Sequence, residues 1–306
     1  IQAAAMMLGS FMLLCAGTLL AGACSAFVQQ FRFAAADTAT EAFRPRAISY
    51  VLVGGIVAAV IGPQAVIHFA DLIPEAQFAG AYLAAVGLVL AAALVLLALD
   101  IPRPVAARRS ASGGRPISEI ALRPEFLVAV GCATSAYALM SFVMTAAPLA
   151  MVMHDHHRDA AMLGIQWHVM AMFAPSFVTG SLIARYGAHK VVATGLALLI
   201  GTALVALSGT SVGHFWLALI LLGIGWNFGF VGGTALVTRS YRPEEKEKVQ
   251  ALNDFVVFGT VALASASSGG ILTFGGWDVV NVIVLPVAMA CLAALFWQMS
   301  RRTRAV

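Results

Sequence analysis

The stretch "VTGSLIARYGAHKV", residues 178–191, sets an arginine, a histidine and a lysine around two glycines, between two long apolar runs. A cationic hairpin of a soluble protein would have polar flanks. These flanks, about 161–184 and 190–209, each approach the roughly 20 apolar residues that cross a hydrocarbon core. The stretch therefore reads as a short connection between two membrane-spanning helices.

The same pattern extends outward along the whole chain. Of its 306 residues 61% are hydrophobic and 10% charged, with a mean hydropathy of +0.91, whereas a soluble domain carries roughly 25% charged residues. Nine complete spans are expected, at about 11–31, 47–69, 77–99, 125–152, 161–184, 190–209, 214–238, 250–273 and 279–299. Recurrence excludes a signal peptide or a single anchor. The runs are long, rich in Ala, Leu and Gly, and lack the alternation of barrel strands, so the fold class is an all-α polytopic membrane protein. The four cysteines, Cys15, Cys24, Cys132 and Cys291, sit inside spans at no metal-ligand spacing and read as small packing residues.

Orientation follows from the cations. If the connections after spans one, three, five, seven and nine are cytoplasmic, they hold seventeen of the eighteen Lys and Arg, only Arg158 lying on the other side. The positive-inside rule then puts the C-terminus in the cytoplasm. The basic pI of about 9.1 is thus a topological signal, and no nucleic-acid partner is expected. An odd number of spans ending inside makes the chain begin outside, on the partial apolar run "IQAAAMMLG" without an initiator Met. A sequence truncated at its N-terminus is the expectation.

An internal repeat measures the truncation. Residues 11–47 can be laid on residues 215–251 without a gap, matching Phe11 to Phe215, Leu13 to Leu217, Glu41 to Glu245, Arg44 to Lys248 and Ala47 to Ala251. Both are a span plus a basic loop of equal length, as in transporters built from duplicated halves. The offset implies that about three spans precede residue 1, giving a parent of six plus six. Residues 1–100 would be the remainder of the N-terminal half, 101–123 a flexible cytoplasmic linker rich in Pro, Gly, Ser and Arg, and 124–306 the C-terminal half.

Duplicated halves, a basic central loop and the opening stretch together resemble the major facilitator superfamily (MFS) of secondary transporters. Its signature loop reads approximately G-x-L-A-D-R-x-G-R-R/K, and Gly180, Leu182, Arg185 and Gly187 stand in those places. Ala184 replaces the acid, while Ala188 and His189 replace two basic residues, as befits the degenerate second-half copy. Gly62-Pro63 resembles the Gly-Pro kink of the antiporter signature, with Ala58 where a Gly is expected. The stretches "IQWHVMAMFAPSFVTG", "GWNFGFVGGTALVT" and "VQALNDFVVFG" resemble a bacterial branch of the superfamily associated with riboflavin import. The resemblance implies secondary active transport of a small organic solute by alternating access at the inner membrane, with a proton as the coupling ion, no cofactor and a monomeric state. Flavin import is the narrower alternative. A non-transporting sensor or assembly protein on the same scaffold is another. A membrane enzyme would need a nucleophile and base pair that the chain does not offer.

Site candidates carry paired readings. Asp254, beside Asn253 inside span eight, is a gate carboxylate or an acid favoured at a helix N-terminus. With the signature-loop residues Gly180, Arg185, Gly187 and Lys190 it forms the expected gate. His168, with Gln166 two residues earlier on another face, is a titrating group or a hydrogen-bonded structural one. Pro175 should bend their span. Arg32 ends a stripe with Ser25 and Gln29, and holds an anionic substrate group or snorkels to the interface. Thr134, Tyr137, Ser141 and Thr145 share a face of span four, as a cavity lining or as self-satisfied packing. Gly225, Gly229 and Gly233 make a close-packing face, which Trp226 and Asn227 interrupt as candidates to stack on and hydrogen-bond a planar solute. The outer stretch "MHDHHRDA" places His154, His156 and His157 around Asp155, without the spacing of a metal site.

Overall fold

The computed structural model describes residues 1–28, 31, 44–98 and 114–303. Arg32, residues 101–113 of the expected linker and most of the loop half of the internal repeat lie outside the described residues. Contacts divide the chain into two units, Ile1–Ala106 and Ala107–Val306, and all the described secondary structure is helical.

The first unit holds α1 (Gln2–Leu8), α2 (Phe11–Val28), α3 (Arg44–Phe69) and α4 (Ala79–Leu97). Pro63 lies inside α3. Leu20 and Phe27 on α2 and Val89, Leu94 and Leu97 on α4 are exposed. Such apolar surface would drive aggregation in water and is unremarkable against lipid tails, which are as apolar as leucine.

The second unit begins with a short helix, α5 (Ile117–Ala121), and then forms α6 (Pro124–Met153), α7 (Arg158–Phe173), α8 (Ser176–Tyr186), α9 (Ala188–Ser208), α10 (Val212–Val237) and α11 (Lys246–Thr303). The helices α7 and α8 are one span bent by 41°. Pro175 has no N–H to donate to the preceding turn, so the ladder must open there. The bend expected at this proline is present. At 58 residues, α11 would be nearly three times the ~30 Å hydrocarbon thickness at about 1.5 Å per residue, so it comprises two crossings. They part at Gly276, whose φ of 75° and ψ of −179° suit only a residue without Cβ. Where the sequence suggested two spans and a loop between them, the chain turns on a single residue. Six helices among the described residues are long and apolar enough to cross a membrane, and the bent pair adds a seventh. With α11 counted twice and α3 included, each expected span has its helix.

Packing follows the small residues. The bundle core lies between α6, α9, α10 and α11, with Ala136, Leu196, Leu199, Leu222 and Val284 buried. A Cβ added at Gly195 of α9 would fall 2.4 Å from the Gly229 backbone nitrogen of α10, and one at Gly229 would fall 2.6 Å from Ala136 Cβ of α6. Backbone meets backbone there, so no side chain can move aside. Gly195→Val is expected to destabilise the protein by about 1–3 kcal/mol or more through overpacking. Gly131→Ala, whose new methyl meets nothing within 4 Å, should leave the thermal unfolding temperature unchanged.

Alternation of the crossings gathers Arg115, Arg123, Arg185, Lys190, Arg239 and Lys248 at one end of the second unit. The last residues of the expected linker are fixed at this end. Arg115 donates from Nε and Nη2 to the two oxygens of Glu245, at 2.8 and 2.6 Å, and its backbone N–H donates to Glu245 Oε1 at 2.9 Å. The Arg242 N–H adds a fourth bond at 2.9 Å, and Lys248 Nζ donates to the Arg115 carbonyl. The Glu245 side chain is fully buried beneath this arrangement. The guanidinium holds the Glu245 carboxyl well below the usual carboxylate range, and the carboxylate raises the Arg115 pKa in turn. A lowered folded pKa means that the pair stabilises fully above the unfolded value of about 4.3 and fades as pH falls through the folded value. Glu245→Gln is expected to free the 114–116 segment. Limited proteolysis should then cut before α5 faster than in the unaltered protein at neutral pH, and the difference should shrink in acid.

Candidate functional site

The midsection of the second unit is an aromatic cluster contributed by four helices. Trp226 of α10 stacks on Phe230 one turn on, with ring centroids 5.5 Å apart and planes 15° apart. Tyr137 of α6 meets Trp226, Phe230 and Phe258 edge-on at 5.4, 5.0 and 5.8 Å. Phe173, just before the α7–α8 bend, closes on Trp226 at 6.3 Å. Such edge and offset contacts suit the ring quadrupoles and add rigidity beyond area burial. The cluster is graded in exposure. Trp226 is 8% exposed and forms its floor, Tyr137 and Phe230 are half-buried, and Phe258 of α11 is 47% exposed at its rim.

Hydroxyls run beside the rim. Ser141 Oγ and Ser265 Oγ lie 2.7 Å apart across the α6–α11 seam, with Thr145 Oγ1 3.4 Å from Ser265. Thr145 also donates to the Ser141 carbonyl at 2.7 Å, and Ser268 donates to the Phe142 carbonyl at 2.6 Å. Of the expected span-four stripe, Thr134 is buried, Tyr137 and Ser141 are half-buried and Thr145 is exposed. Trp226 Nε1 and Thr134 Oγ1 have no hydrogen-bond partner among the described residues.

Asn227 faces the other way. It is fully buried, and its amide is engaged within the fold: Nδ2 donates to the Met172 carbonyl at 2.8 Å and to Ser176 Oγ at 2.7 Å, while Oδ1 accepts from Thr179 Oγ1 at 2.6 Å. Met172, Ser176 and Thr179 bracket Pro175. The amide thus caps the Met172 carbonyl, for which no backbone donor across the break is found among the described residues, and ties α8 to α10. His168 is likewise fully buried, its Nδ1 2.7 Å from the Leu219 carbonyl, which places the ring against α10 and away from the aromatic rim. Gln166 is half-buried on a different face of α7.

The gate candidates lie on α8, α9 and α11. Gly187 ends α8 and begins α9 with φ 86° and ψ 147°, a conformation that favours glycine. Arg185 is exposed, its guanidinium 5.2 Å from the centre of the Tyr186 ring. Gly180 faces open space. Lys190 lines a groove of about 370 Å³ with Tyr186, Thr194 and Phe228. Asp254 is exposed on α11 and accepts from Asn253 Nδ2 at 3.1 Å. At the end opposite the cations His156 Nε2 lies 2.6 Å from the Thr210 carbonyl. Among the described residues no three His, Cys, Asp or Glu side chains gather as metal ligands.

Sequence reasoning missed Phe173, Phe230, Phe258, Ser265 and the Arg115–Glu245 pair. Phe230 was within reach, because it follows Trp226 at four-residue spacing on one face. Phe258 and Ser265, seven apart on one face of span eight, carry the same helical signal as the span-four stripe they meet.

The model of the Major Facilitator Superfamily matches residues 129–306. The chain belongs to the major facilitator superfamily: it is a multi-pass membrane protein that transports solutes, and it is not an enzyme. It is 51% identical over 299 residues to the riboflavin transporter RfnT of Brucella anthropi, covering 96% of this chain and 74% of that protein. The uncharacterised MFS-type transporter YddS of Bacillus subtilis is 28% identical, with 97% of this chain and 72% of that protein covered. The drug efflux pump JefA of Mycobacterium tuberculosis is 29% identical over 44% of this chain and 26% of its own length. No solved structure matches the chain.

Proposed function

We propose that the protein imports riboflavin, or a flavin of the same shape, by alternating access across the inner membrane of a bacterium. The observation that carries this reading is the graded aromatic cluster with hydroxyls along its open edge, in a chain 51% identical to a riboflavin transporter. An isoalloxazine ring needs apolar planes to stack on, and Phe258 and Tyr137 offer them above the Trp226–Phe230 floor. A ribityl chain must exchange water for hydrogen bonds as it enters, and Ser141, Ser265 and Thr145 stand where one would lie beside the ring.

Asn227 and His168 act as positioning residues that hold the bent span against α10, and Gln166 and Arg32 stay as further lining candidates. The gate is assigned to Gly180, Arg185, Gly187, Lys190 and Asp254, all toward the cationic end. That end faces the cytoplasm by the positive-inside rule, which puts the C-terminus inside. A proton gradient drives uptake, no cofactor takes part, and the carrier works as a monomer whose partners are its solute and the surrounding lipid. Residues 1–100 and 124–306 belong to the two halves, joined through 101–123.

Quenching of riboflavin fluorescence on titration with the full-length protein tests this reading, because a ring stacked on tryptophan and tyrosine loses emission. Saturable quenching competed by lumiflavin, the bare ring system, and only weakly by ribitol is the expected result. Competition by ribitol alone, or quenching that never saturates, would refute stacking as the basis of recognition.

A further inference from the structure

A second, smaller pocket lies at the cationic end of the Ala107–Val306 unit and has no part in the proposed flavin site. Its volume is about 120 Å³, and Arg123, Glu125, His189, Arg239, Ser240 and Gln298 line it. That is well below the roughly 300–1,000 Å³ of a site for a drug-sized molecule. A small ion or a single headgroup is the size that fits.

Four helix ends build it. Arg123 and Glu125 belong to the start of α6 and His189 to the start of α9, helices of 30 and 21 residues that both begin without a side-chain cap. α6 opens on Pro124, which has no N–H, so Glu125 carries its first backbone donor, while α9 opens on the N–H groups of Ala188 and His189; both helix dipoles favour an anion. Arg239 and Ser240 follow the end of α10, where an opposing field would be expected. Arg115 Nη2 offsets part of it by donating to the Ser240 carbonyl at 3.4 Å. The Arg239 side chain is exposed and has no hydrogen-bond partner among the described residues. Arg123 gives Nη2 to Glu119 at 2.8 Å, which leaves most of its five donors available.

Gln298 supplies the independent observation. It lines the pocket at 6% exposure, and its Oε1 has no hydrogen-bond partner among the described residues. A buried carbonyl oxygen of this kind requires a donor. An occupant that presents acceptors to the two guanidiniums and a proton to Gln298 Oε1 would satisfy all three, with the Glu125 carboxylate as a second acceptor nearby. Sulfate offers no proton. A phosphate monoester, with its second pKa near 6, keeps one on a fraction of molecules at neutral pH and free phosphate on a larger fraction, and a site with an acceptor at Gln298 would use that proton.

We propose that this pocket binds a phosphate-bearing anion in its protonated form, either free phosphate or a monoester headgroup of a lipid. The pocket shares no lining residue with the proposed flavin site, and its test reads unfolding rather than flavin binding, so either reading can fail without the other.

The test is thermal unfolding of the purified full-length protein in inorganic phosphate or in sulfate of equal ionic strength, and in nanodiscs with phosphatidic acid or with phosphatidylcholine alone. Phosphate should raise the unfolding temperature more than sulfate does, and Arg239→Gln should weaken the phosphate effect at least about tenfold, as expected for one charged hydrogen bond. A shift from phosphatidic acid, absent with free phosphate and removed by Arg239→Gln, would assign the headgroup as the source. Gln298→Leu keeps the pocket's shape and deletes the acceptor, so it should fold and lose the preference for phosphate over sulfate. Equal stabilisation by sulfate, persistence of the shift in Arg239→Gln, a preference retained in Gln298→Leu, or no shift from either source would overturn the proposal.

Discussion

Replacing Asn227 by leucine is expected to leave little folded protein in detergent. The side chain is fully buried and joins the bent span by three hydrogen bonds, two donated and one accepted. Interhelical hydrogen bonds in membranes average about 0.6 kcal/mol and reach about 1.7, so three together place the loss at roughly 2–5 kcal/mol. The upper part of that range applies because the Met172 carbonyl sits at a proline break, where the helix cannot supply a substitute donor. Leucine keeps the branched outline of asparagine but is bulkier, so overpacking adds to the loss of the polar contacts. Thermal unfolding followed by size-exclusion chromatography would register it. An unfolding temperature within a degree or two of the unaltered protein would show that the break is satisfied without the amide.

Tyr137→Ala and Phe258→Ala are expected to weaken riboflavin binding with much smaller effects on folding. Base-on-aromatic stacking is worth about 1–3 kcal/mol per ring by alanine substitution, which is roughly a 5- to 150-fold rise in Kd. Phe258, exposed at 47% and in contact with Tyr137, should show the cleaner separation of affinity from stability. Tyr137 also braces Trp226 and Phe230, so its loss should cost some stability as well. A double replacement should exceed either single one, since the two rings touch and share one platform. Unchanged affinity in both single variants would move the substrate elsewhere in the protein.

Much of the fold was legible because membranes restrict the options so severely. Long runs of Ala, Leu and Gly can only be helices there, and Pro175 announced its bend by what it lacks. The glycines at 225, 229 and 233 announced close packing by their spacing. What the sequence concealed lies in tertiary proximity. Asn227, mid-span beside a tryptophan, resembles a ligand-binding residue until the α7–α8 bend is seen 48 to 55 positions earlier, holding every atom of the amide. Arg115 looked like one of many linker cations, yet its partner Glu245 is 130 residues away. The aromatic platform was half visible. Trp226 and Tyr137 stood out as polar-edged aromatics on separate helices, whereas Phe258 looked like ordinary lipid-facing apolar surface until α11 laid it against Tyr137.

The same bent span runs between the proposed gate and the proposed flavin site. Thr179 and Ser176, held by Asn227, lie two to three turns from Arg185 and Gly187, and Phe173, which closes the aromatic cluster on Trp226, lies just before the break. A change of bend would therefore move a wall of the cluster and the cationic loop together, the coupling that alternating access requires.

Uptake of labelled riboflavin into proteoliposomes containing the full-length protein, with and without an inward proton gradient, addresses the central claim most directly. The account predicts saturable uptake that rises with the gradient, is blocked by excess unlabelled riboflavin and is weakened in Phe258→Ala. Uptake no greater than in protein-free liposomes under either condition would contradict it.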